Sequence, residues 1–306
     1  RFPDHVDIET SSVCQMRCPM CFLTVRDDVP KNLMSFDLFK RIMKEIARRK
    51  PYSIRLSWRG ECLLNPRFKE MLAHARSVYD GNISFITNGL KLDEEYLDFF
   101  IDQKVDYLVI SADGVDETYG EIRKPGNYDD LLNMLRMLKM KKKERGATYP
   151  QVRINGVALW FSEGELARYI EDLSPLVDRI QIGEILSNFD DVPNEHDPDL
   201  ICPSPWQRLM VAWDGKVFPC CDDYSGLYPL GDVNGQSLEE IWRGGPLTQL
   251  REWNRNRQRL NCKLCRERDC GIDQSRQVNT GVLRERLRKQ VVEQYGENAH
   301  ILKYLR

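Results

Sequence analysis

The chain has no uninterrupted apolar run long enough to cross a bilayer, which excludes a helical membrane span and a membrane partner. It has almost no net charge: 45 Lys and Arg against 47 Asp and Glu leave -2 at pH 7, so there is no basic footprint for nucleic acid. Histidine is scarce, at 4 in 306 residues, and only His5 lies near the N-terminal cysteines. That argues against a zinc knuckle of mixed Cys and His ligands there. Nothing repeats at solenoid periods, and no charged segment leading into an apolar stretch opens the chain, so nothing argues for export. What remains, 42% apolar and 30% charged, suits a soluble globular protein with one large or two smaller cores.

Cysteine is the informative residue. Cys14, Cys18 and Cys21 stand in a C-x3-C-x2-C spacing. With 10 cysteines in 306 residues, chance would produce that triplet on the order of 0.01 times. Three thiolates on a four-iron cubane leave one iron open to a substrate or cofactor. The competing readings are a zinc knuckle and a set of buried structural thiols. Thiols grouped at metal-ligand spacings belong to a reducing compartment, so a cytoplasmic location is expected.

Short β-branched or aromatic runs alternate with helical patterns. Val6–Ile8, Ser53–Trp58, Asn82–Thr87, Asp106–Ala112, Gln151–Leu159 and Arg179–Leu186 read as six strands. Phe36, Phe39, Met43 and Ile46 mark one amphipathic helix. A second is expected from an Asn65 N-cap and Pro66, with Phe68, Leu72, Ala75 and Tyr79 inward. Units at this spacing imply a parallel sheet with crossover helices. The basic stretch Lys139 to Arg145 ends a Leu- and Met-striped helix and is expected to complement its dipole.

At these residues a resemblance emerges: the triplet, placed after the first strand and before the first helix, resembles the radical S-adenosylmethionine (radical SAM) superfamily. Gly60-Glu61 is similar to that family's Gly-Gly-Glu, whose backbone receives the methionine amino group of S-adenosylmethionine. Thr87-Asn88 resembles the turn after the third strand, and Ser111 to Asp113 the ribose-binding strand end. Arg123 matches the arginine aimed at the methionine carboxylate. The resemblance implies a partial (β/α)6 barrel and an α/β fold, with a 4Fe-4S cluster on Cys14, Cys18 and Cys21. Cofactor contacts would come from Gly60, Glu61, Thr87, Asn88, Ser111, Asp113 and Arg123. The chain departs from the pattern at Gln15, Met20 and Arg59. Arg59 is expected to pair with Glu61, to meet an anionic substrate group, or to be a solvated loop residue.

Further on, Asp214-Gly215 is a strong hairpin signal, and Ser237 to Arg243 and the segment with Leu250 and Trp253 read as short helices. They could bring Cys202, Cys220, Cys262 and Cys265 together. This segment resembles the SPASM/twitch auxiliary-cluster domains. The cysteine count fits one auxiliary 4Fe-4S cluster on those four residues, with Cys270 as a substitute ligand and a four-cysteine zinc site as the alternative. Cys62, Cys221 and Cys270 are then spare. Cys221 is a candidate hydrogen-atom donor, against the alternative of an unligated buried thiol; Cys62 reads as packing. The expected division is a barrel over 1–187, an acidic linker over 188–200, the auxiliary-cluster domain over 201–273 and a helical tail over 274–306, patterned by Leu283, Leu287 and Val291. The linker is a solvated connection or a loop attracting a cationic substrate.

The resemblance implies an enzyme that forms a 5′-deoxyadenosyl radical and takes a hydrogen atom from a small hydroxylated or amino-bearing natural product, in a dehydrogenation or an epimerisation. Maturation or epimerisation of a ribosomally made peptide is the alternative, and a non-catalytic iron-sulfur or zinc module is the remote one. A reductase such as flavodoxin or ferredoxin would be the electron donor.

Overall fold

The computed structural model describes residues 2–184, 199–268 and 280–305. Six strands run in parallel with helices returning between them: β1 (His5–Ile8), β2 (Ser53–Arg55), β3 (Asn82–Thr87), β4 (Tyr107–Ser111), β5 (Gln151–Val157) and β6 (Arg179–Gly183). The chain then adds β7 (Arg208–Val211), β8 (Lys216–Phe218) and β9 (Gly231–Asp232). All belong to one nine-stranded sheet of order β6-β5-β4-β3-β2-β1-β7-β8-β9. β7 is parallel to β1, and the hairpin partners beyond it are antiparallel. The segment after the linker is thereby hydrogen-bonded directly to the edge of the barrel sheet.

Each strand alternates, as period-2 side chains must. Ile83, Phe85, Leu108, Ile110, Val152 and Ile154 are buried against the helical layer. The intervening positions Arg55, Ser84, Val109 and Arg153 face the concave barrel interior. Helix Phe36–Arg49 shows why the crossovers fold. Ser35 accepts a hydrogen bond from the Leu38 N–H, Asp37 sits in the first turn and Arg48 and Arg49 in the last, while Leu38, Phe39, Ile42, Met43 and Ile46 are buried.

Three expectations need correction. Helix Phe68–Val78 starts later than expected from Asn65 and Pro66: the Asn65 oxygen does accept the Arg67 N–H as a cap would, but the Phe68 N–H closes a tight turn on the Asn65 carbonyl at 2.9 Å before the helix begins. β2 stops at Arg55, since the chain turns toward the cysteine loop, where Gly60 packs on Ser12 and Val13. The basic end of helix Tyr128–Glu144 does more than complement a dipole: Lys141 is buried and binds Glu94 and Asp98, and Arg145 binds Asp98 and Asp102.

The Asp214-Gly215 turn joins β7 to β8 with Gly215 at φ +95. Two short helices follow, Leu238–Arg243, opened by a reciprocal Ser237–Glu240 capping box, and Gly245–Arg255. The tail helix Thr280–Tyr295 buries Leu287 and Val291 with Ile122, Trp160, Ile301 and Leu302. No helix of the described residues is long and apolar enough to cross a membrane. Most of the linker, Cys270 and the Leu283 side chain lie outside the described residues.

Candidate active site

The cysteine loop leaves β1 and is pinned from below. The Glu61 N–H donates to the Val13 carbonyl at 2.8 Å, and a Cβ on Gly60 would lie 2.5 Å from Ser12 C and Val13 O. Only glycine allows that approach. Ser12 is tied to Asn32 in both directions, its N–H and hydroxyl donating to the Asn32 carbonyl and its Oγ accepting from the Asn32 N–H.

Above this platform lies a cleft of ≈ 210 Å³. Cys14, Cys18 and Cys21 line it together with Gly60, Glu61, Thr87, Asn88, Ser111 and Arg123. These come from the loops after β1 to β4 and the segment behind β4, the C-terminal ends of parallel strands where barrel enzymes put their chemistry. Asp113 does not line the cleft. It is fully buried, with one carboxylate oxygen taking the Arg123 guanidinium through Nε at 2.7 Å and through Nη2, and the other accepting from the Val157 N–H at 2.7 Å. Burial would discharge Arg123, but Asp113, with Cys18 and Tyr119, outweighs it, so the cation is firmly held.

Glu61 is also fixed. Its Oε1 accepts from the Thr87 hydroxyl at 2.8 Å and the Leu63 N–H at 3.1 Å, and its Oε2 from the Asn88 N–H at 2.7 Å. Asn88 in turn exchanges amide hydrogen bonds with Gln15 and approaches the Cys14 sulfur at 3.7 Å. The turn after β3 therefore reaches the cysteine loop through Gln15.

The thiols fit a metal cluster. No disulfide joins any of the described cysteines. Burial pushes the Cys21 thiol up to about 12, and Cys14 and Cys18 are raised by the same cause. Thiols sharing one cleft, Cys18 buried and Cys14 and Cys21 half-buried, gain little by ionising alone; a metal cluster that takes their charge would make the arrangement favourable.

A second group forms where β8 ends. Cys202, Cys220 and Cys265 line one cavity with Asp222 and Arg268. Cys262 is fully buried and Cys265 follows it after Lys263 and Leu264, near enough for the two thiols to perturb each other. Cys202 is positioned by its N–H, which donates to the buried Asn254 amide oxygen at 3.0 Å. The Cys220, Cys221 and Asp222 donor atoms lie within 4.8 Å of one another. Cys221 packs against the cluster of Met210, Ala212 and Phe218, as does Trp58, and its carbonyl accepts from the Trp58 indole N–H at 2.7 Å. Trp58 also lines the first cleft, so it links the two cysteine groups. Sequence reading passed over Trp58, Asp222 and Arg268; the one available signal was an aromatic placed just before Gly60-Glu61. Cys62 is fully buried, with its sulfur 3.5 Å from the Ile86 carbonyl.

Arg59 lines the cleft but neither pairs with Glu61 nor stands in solvent. It is buried and paired with Glu9, with a further bond from Nη1 to the Tyr224 carbonyl at 3.0 Å.

Residues 8–182 match the radical SAM superfamily. The chain belongs to that superfamily. Residues 202–271 match SPASM, an iron-sulfur cluster-binding domain. Together these two domains imply 4Fe-4S clusters and S-adenosylmethionine as the cofactors of a radical SAM enzyme. Among curated proteins, the chain is 22% identical over 320 residues to a tungsten-containing aldehyde ferredoxin oxidoreductase cofactor-modifying protein of Pyrococcus furiosus, covering 87% of this chain and 88% of that protein. It is 26% identical over 86 residues to an S-adenosyl-L-methionine-dependent 2-deoxy-scyllo-inosamine dehydrogenase of Niallia circulans, covering 27% of this chain and 34% of that one. Among solved structures, BtrN in complex with AdoMet and 2-DOIA superposes with a TM-score of 0.64 at 18% identity over 87% of this chain and 92% of that one. Streptococcus suis SuiB bound to S-adenosylmethionine superposes with a TM-score of 0.67 at 15% identity, over 87% and 72%. These likenesses fix the fold: a radical SAM barrel continued by a SPASM-like antiparallel segment.

Proposed function

We propose that this radical SAM enzyme takes a hydrogen atom from a small hydroxylated or amino-bearing molecule and completes a dehydrogenation or an epimerisation. Cys14, Cys18 and Cys21 would hold the first cluster; Cys202, Cys220, Cys262 and Cys265 would hold the second. When bound, the reduced first cluster converts S-adenosylmethionine to methionine and a 5′-deoxyadenosyl radical able to attack a strong C–H bond, and the second supplies a redox centre for the remaining electron.

The observation that carries the reading is that the three N-terminal thiols, Gly60, Ser111 and Arg123 share one cleft at the strand ends. In this reading Arg123 receives the methionine carboxylate, and Asp113 acts as its positioning residue by holding the guanidinium. The Gly60-Glu61 backbone receives the amino group, with Glu61 itself locked by Thr87 and Asn88. Ser111 would meet the ribose. A flavodoxin- or ferredoxin-type reductase and a cytoplasmic setting go with this chemistry. The proposed division into 1–187, 188–200, 201–273 and 274–306 follows the two groups of cysteines.

Cys221 is proposed as the donor that returns a hydrogen atom in the epimerising case, since its carbonyl accepts from the indole N–H of Trp58, a wall of the cleft, and both residues pack on the same apolar cluster. The name of the Pyrococcus furiosus relative, cofactor-modifying protein, and the bound 2-DOIA of BtrN support a small-molecule substrate. SuiB, solved also with its precursor peptide SuiA at a TM-score of 0.66, supports the peptide alternative. The test is an anaerobic screen of aminocyclitols, sugars and peptides in deuterated solvent, read by product mass. A product lighter by two hydrogens supports dehydrogenation, and one deuterium at an inverted carbon supports epimerisation. Turnover of peptides alone would contradict the small-molecule reading. Full deuterium incorporation by Cys221→Ala would remove Cys221 from the donor role.

A further inference from the structure

Below the cleft the barrel interior holds a second cavity of ≈ 500 Å³, walled by Arg55, Tyr107, Gln151, Arg153, Arg179 and one carboxylate, Asp178. Ile86 lines both spaces, so the two adjoin across one side chain. The register fixes the distance between them. Asn155 pairs with Ser111, a wall of the cleft, and Arg153 stands two residues earlier on the same face of β5, flanked by Val109 and Arg179. Two residues along a parallel strand span about 6.6 Å.

The cations here outnumber the carboxylates available to them. Asp7 serves Arg55 at 2.5 Å and Arg208 at 4.0 Å. Asp178 accepts from the Val152 N–H at 2.7 Å and faces Lys142 at 3.6 Å. Arg153 and Arg179 have no carboxylate partner among the described residues. The Nε atoms of Arg55 and Arg153 and the Oδ1 of Asn155 are buried without a hydrogen-bond partner. Burial, followed by the neighbouring Arg179 and Arg55, holds the Arg153 guanidinium below its ordinary value. Arg55 has Asp7, and Asp178 on the same wall pairs with neither Arg153 nor Arg179; the half-buried Arg153 between Arg55 and Arg179 is the cation left without a counter-charge among the described residues, and an oxyanion from outside would satisfy it and Arg179 by charge-assisted, fork-shaped hydrogen bonding.

We propose that this lower cavity receives an oxyanionic group of the substrate, a phosphate or a carboxylate, with Arg153 and Arg179 as its specificity-determining residues. The carbon to be attacked then lies in the cleft above. This rests on the reading of the cleft as the reaction chamber, and it makes an anionic substituent the handle by which the substrate is oriented. The exposed position of Arg179 at the mouth of the cavity leaves an entry from the N-terminal side of the strands.

The test uses anaerobically reconstituted full-length protein with S-adenosylmethionine, titrated calorimetrically at low salt with inorganic phosphate, with succinate, and with ethanolamine as the cationic control. Phosphate or succinate is expected to bind and ethanolamine is not; the tighter of the two anions identifies the headgroup. Arg153→Met and Arg179→Met each weaken that binding by about tenfold or more, as loss of a charged hydrogen bond does. Arg153→Lys, which keeps the charge, falls between, and Arg179→Met carries the test if Arg153→Met does not fold. Failure of both anions to bind the wild type, unchanged binding by the variants, or equal binding of ethanolamine overturns the proposal. Formation of 5′-deoxyadenosine is measured on the same wild-type sample. Anion binding without it overturns the reading of the cleft, whereas 5′-deoxyadenosine without anion binding overturns only the present proposal.

Discussion

Glu9 and Arg59 form an ion pair with side chains 0% and 2% exposed, between the end of β1 and the loop that carries Gly60. The Glu9 carboxylate also accepts from the Trp213 N–H at 3.2 Å, and Arg59 reaches the Tyr224 carbonyl. Barrel and auxiliary segment are therefore joined through one buried charge pair. Removing one partner leaves the other charge uncompensated, which costs about 3–5 kcal/mol. Arg59→Met is expected to lower the thermal unfolding midpoint sharply, whereas a Glu9→Gln, Arg59→Met double variant recovers part of the loss. A double variant no more stable than Arg59→Met would contradict this coupling.

Gly60→Ala tests the seat of the cysteine loop. A methyl group 2.5 Å from the Val13 carbonyl must push the loop away. Iron bound at the N-terminal site should fall in reconstituted protein, while iron at the auxiliary site is retained. Iron analysis against a Cys14→Ala control reads the difference.

Asp113→Asn leaves the shape of the Arg123 support but removes its charge. S-adenosylmethionine affinity should weaken by about tenfold, the scale of a charged hydrogen bond, with iron content unchanged. Calorimetric titration with the cofactor checks it; unaltered affinity would mean that Arg123 needs no fixed partner.

The tail is fastened by Glu165. Burial alone would raise this carboxyl, but hydrogen bonds from Ser162, Tyr304 and Lys303 outweigh it and hold its pKa at about 2, below the ordinary 4.5. A depressed carboxyl stabilises the fold above its unfolded pKa and loses that contribution as pH falls toward the folded value. Glu165→Gln should thus be less stable than wild type at neutral pH, with the gap narrowing as pH drops from about 4.5 toward about 2. A gap that widened on acidification would reverse the sign assigned here.

Much of the site was legible because its signals are local. Cysteine spacing singled out Cys14, Cys18 and Cys21, family resemblance added Gly60, Ser111 and Arg123, strand periodicity put Gly60 and Ser111 at strand ends, and the structure puts all six on one cleft. Partners distant in sequence were not legible. Glu9 lies 50 residues from Arg59, and nothing in either neighbourhood announces the pair. At Asn65 the local pattern was right, its oxygen accepting the Arg67 N–H, but its amide also donates to the Thr10 and Met34 carbonyls, tertiary bonds that no local pattern announces. The arginines of the barrel interior are spread over β2, β5 and β6 and converge only when the sheet curls.

The most direct test of the central claim is the yield of 5′-deoxyadenosine from anaerobically reconstituted, dithionite-reduced protein given S-adenosylmethionine. The account predicts its formation by the wild type and its loss in Cys14→Ala, Cys18→Ala and Cys21→Ala. No 5′-deoxyadenosine from an iron-replete wild type, or full yield from any of those three variants, would contradict it.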